Sequence, residues 1–277
     1  MLKILLWQYL NALREYNLPN SIDSNRICWL EDFLQKIPYF AVTTIDFPPS
    51  QLKRLTINDR LPNNNNERIN FLRELKYPPA ESVQKFGRAN LKQQSVFYSS
   101  FACIDTTMEM RPKIGQLVTV SEWKLKKEIK KIKLCPIFKK TSLDNIVHNP
   151  LSLEIKLNYE NYIKSINDKD IELIEIITDF LSEVFSKRVD HTNDSDYFLS
   201  AYFANKIFSL SPDIEGIIYP SVINNLLSSN VVLKPETLNN KFDLISVEEM
   251  MTKSITNFRQ TGFSDSYDLE SGTIFWK

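Results

Sequence analysis

A chain of 277 residues with 43% hydrophobic content can bury a full core, which excludes a disordered protein. Its 34 Lys and Arg balance 34 Asp and Glu, so no net field draws it to nucleic acid or to an anionic membrane, and either partner would need a local patch. Cys28, Cys103 and Cys135 lie far apart without CxxC spacing, which argues against a zinc site or a disulfide framework and for reduced thiols in a cytoplasmic protein.

In chain order, Leu2, Leu6, Tyr9 and Leu13 recur at helical spacing. A second helix is expected after the Ser21/Asp23 cap region, through Trp29, Phe33 and Leu34. Residues 1–45 thus read as a helical segment preceding a main domain over 46–277. The short apolar stretch from Ile4 to Trp7 lacks the length and cleavage site of a signal peptide. No run approaches the ~20 apolar residues of a membrane helix. Strands are expected at Phe40–Phe47, Leu52–Ile57, Ser95–Phe101, Gln116–Trp123, Ile129–Phe138, Ile214–Tyr219, Val231–Leu233 and Phe242–Val247, with Asn63–Asn66 as a polar loop. Two helices interrupt them. One, Lys169–Lys187, carries Leu173, Ile176, Ile177, Phe180, Leu181 and Val184 on one face, and another follows caps at Asn193-Asp194. Strands and helices in blocks predict an α+β fold rather than a doubly wound parallel sheet.

Five dispersed glycines form neither GxGxxG nor a P-loop, so a Rossmann dehydrogenase or Walker-type NTPase is disfavoured. His148 and His191 sit in no metal-ligand spacing, and no metal is expected. Ser221 follows Pro220 rather than sitting in GxSxG, so a triad with His191 has no support. The lysines from Lys124 to Lys140 form the one basic run. Without interleaved aromatics they read as a solvated face or a protected sheet edge rather than a nucleic-acid track.

Several motifs occur in a fixed order. They are Leu75-Lys76-Tyr77-Pro78-Pro79, Phe86-Gly87-Arg88-Ala89-Asn90, Gln94 to Ser100, Thr106 to Pro112 and Gly115 to Trp123, then Asp196-Tyr197 and Gly216 to Val222. This series resembles the RES domain family, named for an arginine, a glutamate and a serine, and extends from about Lys53 to Val247. The resemblance implies an ADP-ribosyltransferase-like mixed β core with flanking helices. It also implies a toxin that breaks the nicotinamide–ribose bond of NAD by hydrolysis or phosphorolysis, neutralised by a partner such as a helix-turn-helix antitoxin.

Carried onto this chain, the family glutamate falls on Glu109, the serine on Ser221 and the tyrosine on Tyr98, eleven residues before the glutamate. The early arginine falls on Arg54, with Arg68 as the weaker candidate. Arg88 is a separate landmark, either a phosphate contact or an anchor. These residue types suit the chemistry. A carboxylate at Glu109 would stabilise an oxocarbenium-like ribosyl centre, and the planar fork of Arg54 would grip a pyrophosphate. Tyr98 offers a ring for nicotinamide to stack on, and Ser221 a hydrogen bond to the ribose or the amide. Two alternatives stay open: transfer of ADP-ribose to a protein or nucleic acid, and a non-enzymatic partner-binding module.

Overall fold

The computed structural model describes the whole chain except residues 17, 20–21, 48–50, 102–106, 108, 139–151, 190–192, 223–228 and 255. Among the described residues the fold is mixed α+β, built on one nine-stranded sheet. The helices are α1 (Leu2–Glu15), α2 (Ser24–Gln35), α3 (Leu72–Leu75), α4 (Ser152–Lys164), α5 (Asp168–Ser186), α6 (Phe198–Leu210) and α7 (Pro235–Lys241). The strands are β1 (Ile45–Phe47), β2 (Gln51–Ile57), β3 (Phe97–Ser100), β4 (Leu117–Leu125), β5 (Ile132–Pro136), β6 (Gly216–Pro220), β7 (Ser229–Leu233), β8 (Phe242–Ser254) and β9 (Asn257–Ser264). They lie in the order β1-β5-β6-β7-β3-β2-β4-β8-β9, antiparallel except for β5 beside β6.

Every residue of β6 and β7 is buried because this part of the sheet is covered on both faces. The alternation of side chains sends Ile217, Tyr219 and Val232 to one core, and Ile218, Val231 and Leu233 to the other. The first core is closed by α1, α2, α5 and α6. Leu6, Leu10, Leu13, Leu30 and Leu34 pack there with Ile177, Phe180, Phe198 and Phe203, so residues 1–45 share a core with the rest of the chain. The stripe on α1 runs through Leu10 rather than Leu2, which is exposed. Asp23 caps α2, accepting the Arg26 N–H at 2.8 Å. A third cluster, Leu55, Ile57, Val118 and Val120, takes Met110 onto its surface.

Several sequence-based boundaries shift. Only Ile45–Phe47 of the expected Phe40–Phe47 strand finds a partner, β5, while Phe40 and Val42 pack against the first core from extended chain without a ladder. The expected Phe242–Val247 strand runs on to Ser254 and turns into β9. Asn193 and Asp194 do not cap α6. A 3-10 turn, Asp194–Tyr197, precedes that helix, and Asp194 instead accepts the backbone N–H of Phe86 at 3.0 Å. Nor does the lysine run guard a sheet edge, because β4 and β5 each have neighbours on both sides and the edge strands are β1 and β9. Lys131 and Lys133 pair with Asp46 and Asp213.

Among the described residues no helix is long and apolar enough to cross a membrane. Cys28 and Cys135 are free thiols, and burial pushes the Cys135 thiol up to about 12. Cys103, His148, His191, Lys139 and Lys140 lie outside the described residues.

Candidate active site

The sheet opens between β2 and β3. Among the described residues these strands pair through Lys53 and Ser100 alone, and the residues beyond that pair, Arg54 and Leu55 on one side and Tyr98 and Ser99 on the other, line a cavity of about 680 Å³. Arg54 bridges the gap, its Nη1 donating to the Tyr98 carbonyl at 3.2 Å while the guanidinium lies 5.5 Å from the centre of the Phe97 ring. The Nε of Arg54 is buried and has no hydrogen-bond partner among the described residues. Burial pulls its pKa down to about 10, which leaves it charged at neutral pH. A buried donor left unsatisfied costs folding free energy, so its presence at a cavity wall marks a place where a ligand acceptor would be favoured.

Tyr98 is fixed by the turn that follows Phe86. Its hydroxyl donates to Asn90 Oδ1 and accepts the Ala89 N–H, both at 2.8 Å, and burial raises its pKa. Gly87 allows this approach, since a Cβ there would stand 2.2 Å from Asn90 Oδ1 and 2.8 Å from the Tyr98 hydroxyl. Arg88, one residue on, donates to the Phe185 and Lys187 carbonyls at 2.7 and 3.0 Å and stacks 5.0 Å over the Tyr197 ring. Those acceptors belong to the C-terminal end of α5, where a cation also meets the negative end of the helix dipole. Arg88 is therefore an anchor whose edge reaches the cavity wall.

Among the described residues Glu109 is the one carboxylate on the cavity lining, beside Met110, whose side chain packs on the third cluster. Its Oε1 accepts two hydrogen bonds, from Ser221 Oγ at 2.7 Å and Asn230 Nδ2 at 3.0 Å. The Oε2 atom accepts none among the described residues. Ser221 is fully buried and is not part of the cavity wall, and its hydroxyl donates to the carboxylate from behind. Asn230, on β7, was not singled out from the sequence. Nothing in Ser229-Asn230-Val231 marks it, and only the register that sets Tyr219 of β6 opposite it reveals its role.

Four more cavity residues also escaped sequence reasoning: Arg60, Lys85, Arg111 and Tyr219. Burial drives the Tyr219 pKa well above its usual value. Arg68, the weaker arginine candidate, is elsewhere. It pairs with Glu249 at 2.8 Å, donates to the Thr261 carbonyl and lies 4.8 Å over Trp276, tying β8 and β9 to the C-terminal segment. The structure thus brings Arg54, Arg88, Tyr98 and Glu109 to one cavity with Ser221 directly behind the carboxylate, and separates Arg68 from them. Among the described residues no group of three or more His, Cys, Asp or Glu could hold a metal. No protein-family model and no curated protein matches this chain.

Proposed function

We propose that this protein cleaves the nicotinamide–ribose bond of NAD as a RES-type enzyme of ADP-ribosyltransferase-like architecture. The observation that carries the proposal is Glu109, the single carboxylate among the described lining residues, oriented by two donors on one oxygen, in a cavity whose described lining also carries five cationic side chains, Arg54, Arg60, Lys85, Arg88 and Arg111. Such a lining attracts a pyrophosphate and reserves one negative site for a developing cation.

In the reaction the bond from ribose C1′ to the nicotinamide nitrogen breaks, and both electrons leave with the ring as neutral nicotinamide. The C1′ centre becomes oxocarbenium-like, as in glycoside cleavage. Glu109, held in place beforehand, favours that charge more than it favours the ground state. Arg54 would take the pyrophosphate with its unpaired Nε and remaining N–H groups. Tyr98 and Tyr219 supply aromatic surface for the nicotinamide. Ser221 and Asn230 are positioning residues. An acceptor oxygen then bonds to C1′; when water is the acceptor, its proton passes to solvent and ADP-ribose is the product.

Depletion of NAD would make the protein a toxin inside the cytoplasm, controlled by a partner that covers the cavity mouth, such as a helix-turn-helix antitoxin. The test is to incubate the purified protein with labelled NAD, with and without inorganic phosphate, and to follow free nicotinamide and the fate of the ADP-ribose. Nicotinamide with free ADP-ribose or its 1-phosphate supports the proposal. Label on a macromolecule would assign transfer instead, and intact NAD in the presence of folded protein would reject the reaction.

A further inference from the structure

Beyond their shared attraction for a pyrophosphate, Lys85 and Arg111 have no individual contact assigned in the proposed cleavage of NAD, and any ligand assigned to them depends on that reaction. A pyrophosphate carries two negative charges and the nicotinamide ring one positive charge, whereas the described residues of the wall carry five cations against one carboxylate. Two of the five are tied down, Arg88 by a pair of helix-end carbonyls and Arg54 by the Tyr98 carbonyl. Arg60 gives one N–H to the Met110 carbonyl at 3.1 Å. Lys85 and Arg111 form no ion pair among the described residues.

Arg111 adds a second observation. Its φ is 48°, in the left-handed region, and its N–H closes a helical turn onto the Thr107 carbonyl at 2.9 Å. Glycine takes that helix-ending position without steric cost, and a side chain there is strained. An arginine at this position, two residues from Glu109 and on the cavity wall, retains its strain together with a charge that has no ion-pair partner among the described residues.

We infer that Arg111 and Lys85 form a subsite for a phosphate monoester that the substrate carries beyond its pyrophosphate, making the 2′-phosphorylated dinucleotide NADP the preferred substrate over NAD. A monoester adds about −1.5 to −2 charge at neutral pH and three acceptor oxygens. The planar fork of Arg111 can engage two of them, and the Lys85 ammonium meets the remaining charge. The surplus positive charge of the wall thereby acquires a counterpart.

The experiment compares kcat/KM for nicotinamide release from NADP and from NAD in wild type, Arg111→Gly and Lys85→Ala, alongside calorimetric binding of both dinucleotides to Glu109→Gln protein. Wild type is expected to favour NADP by about tenfold or more, and each variant to lower the NADP-to-NAD ratio by about ten- to a hundredfold, the range of a charge-assisted hydrogen bond. Arg111→Gly relieves backbone strain, so its melting temperature should equal or exceed that of wild type and folding failure cannot explain its loss. A wild-type preference for NAD, or equal losses on both dinucleotides in both variants, overturns the subsite and gives these cations to the pyrophosphate. Variants that raise KM for inorganic phosphate with the dinucleotide ratio unchanged overturn it too. If neither dinucleotide is cleaved, binding decides: tighter NADP binding that depends on Arg111 supports the subsite while the reaction fails, and equal binding rejects both.

Discussion

Ser221→Ala deletes the 2.7 Å hydrogen bond to Glu109 Oε1, and Asn230→Ala deletes the 3.0 Å bond to the same atom. A neutral donor to a carboxylate contributes about 1.5–3 kcal/mol, so if the orientation of Glu109 persists into the transition state each variant should lose about ten- to a hundredfold in kcat. Because Ser221 is fully buried and off the cavity wall, its loss should appear in kcat with little change in KM. The two bonds converge on one oxygen, so the double variant should fall by less than the product of the single effects. The assay is the initial rate of nicotinamide release across a substrate series, with urea denaturation of each variant in parallel. A Ser221→Ala protein within twofold of wild-type kcat would refute the positioning role. So would a loss of equal size when the same substitution is made in Glu109→Gln protein, where the charge to be oriented is already gone.

The same geometry sets three other outcomes. Arg54 has its pKa lowered on folding, to about 10, which means that burying its charge costs stability throughout the range below that pH and that the cost fades only as pH rises through 10. Arg54→Met should therefore keep the melting temperature at pH 7 within a few degrees, loss of the Tyr98 carbonyl bond being offset by removal of the unpaired Nε, while turnover falls about a hundredfold; unchanged turnover would contradict this. Arg68→Ala, by contrast, strands a nearly buried Glu249 carboxylate and should cost about 2–4 kcal/mol in urea unfolding while turnover per folded molecule stays within about twofold of wild type. A large fall in the turnover of the folded fraction would restore Arg68 as the site arginine. Gly87→Ala drives a methyl into Asn90 Oδ1 and the Tyr98 hydroxyl and should destabilise by about 1–3 kcal/mol, read from the urea midpoint; a neutral result would show that the turn has room to give.

How much could be read from the sequence varied with how local the cause was. The stripe of α5 was legible because Leu173, Ile177, Phe180 and Leu181 repeat at helical spacing, and β2 and β4 because Leu52–Ile57 and Gln116–Trp123 are short runs rich in residues that favour strands. The far half of β8 was not, since bulges between Glu249 and Met250 and between Thr252 and Ser254 break the period-two pattern that would have announced it. Helix α4 was missed because just two of its apolar positions, Ile155 and Tyr159, are buried, too few to print a stripe. Tyr98 and Glu109 were reached through motif order, and Arg54 over Arg68 by the choice of context. Asn230, Arg60 and Lys85 come to the cavity through strand register and loop closure between distant segments, which no local window contains. Ser221 was singled out, but its hydrogen bond to Glu109 was not foreseen. Only the fold brings its hydroxyl to Glu109, 112 positions away.

The most direct single measurement is nicotinamide release from NAD by wild-type and Glu109→Gln protein of matched melting temperature. Glutamine keeps the shape of the side chain and removes its charge. The expected result is stoichiometric nicotinamide from the wild type and a rate lower by about a hundred- to a thousandfold from the variant, the range for loss of one preorganised electrostatic group. Equal rates would take Glu109 out of the chemistry, and intact NAD with folded wild type would contradict NAD cleavage itself.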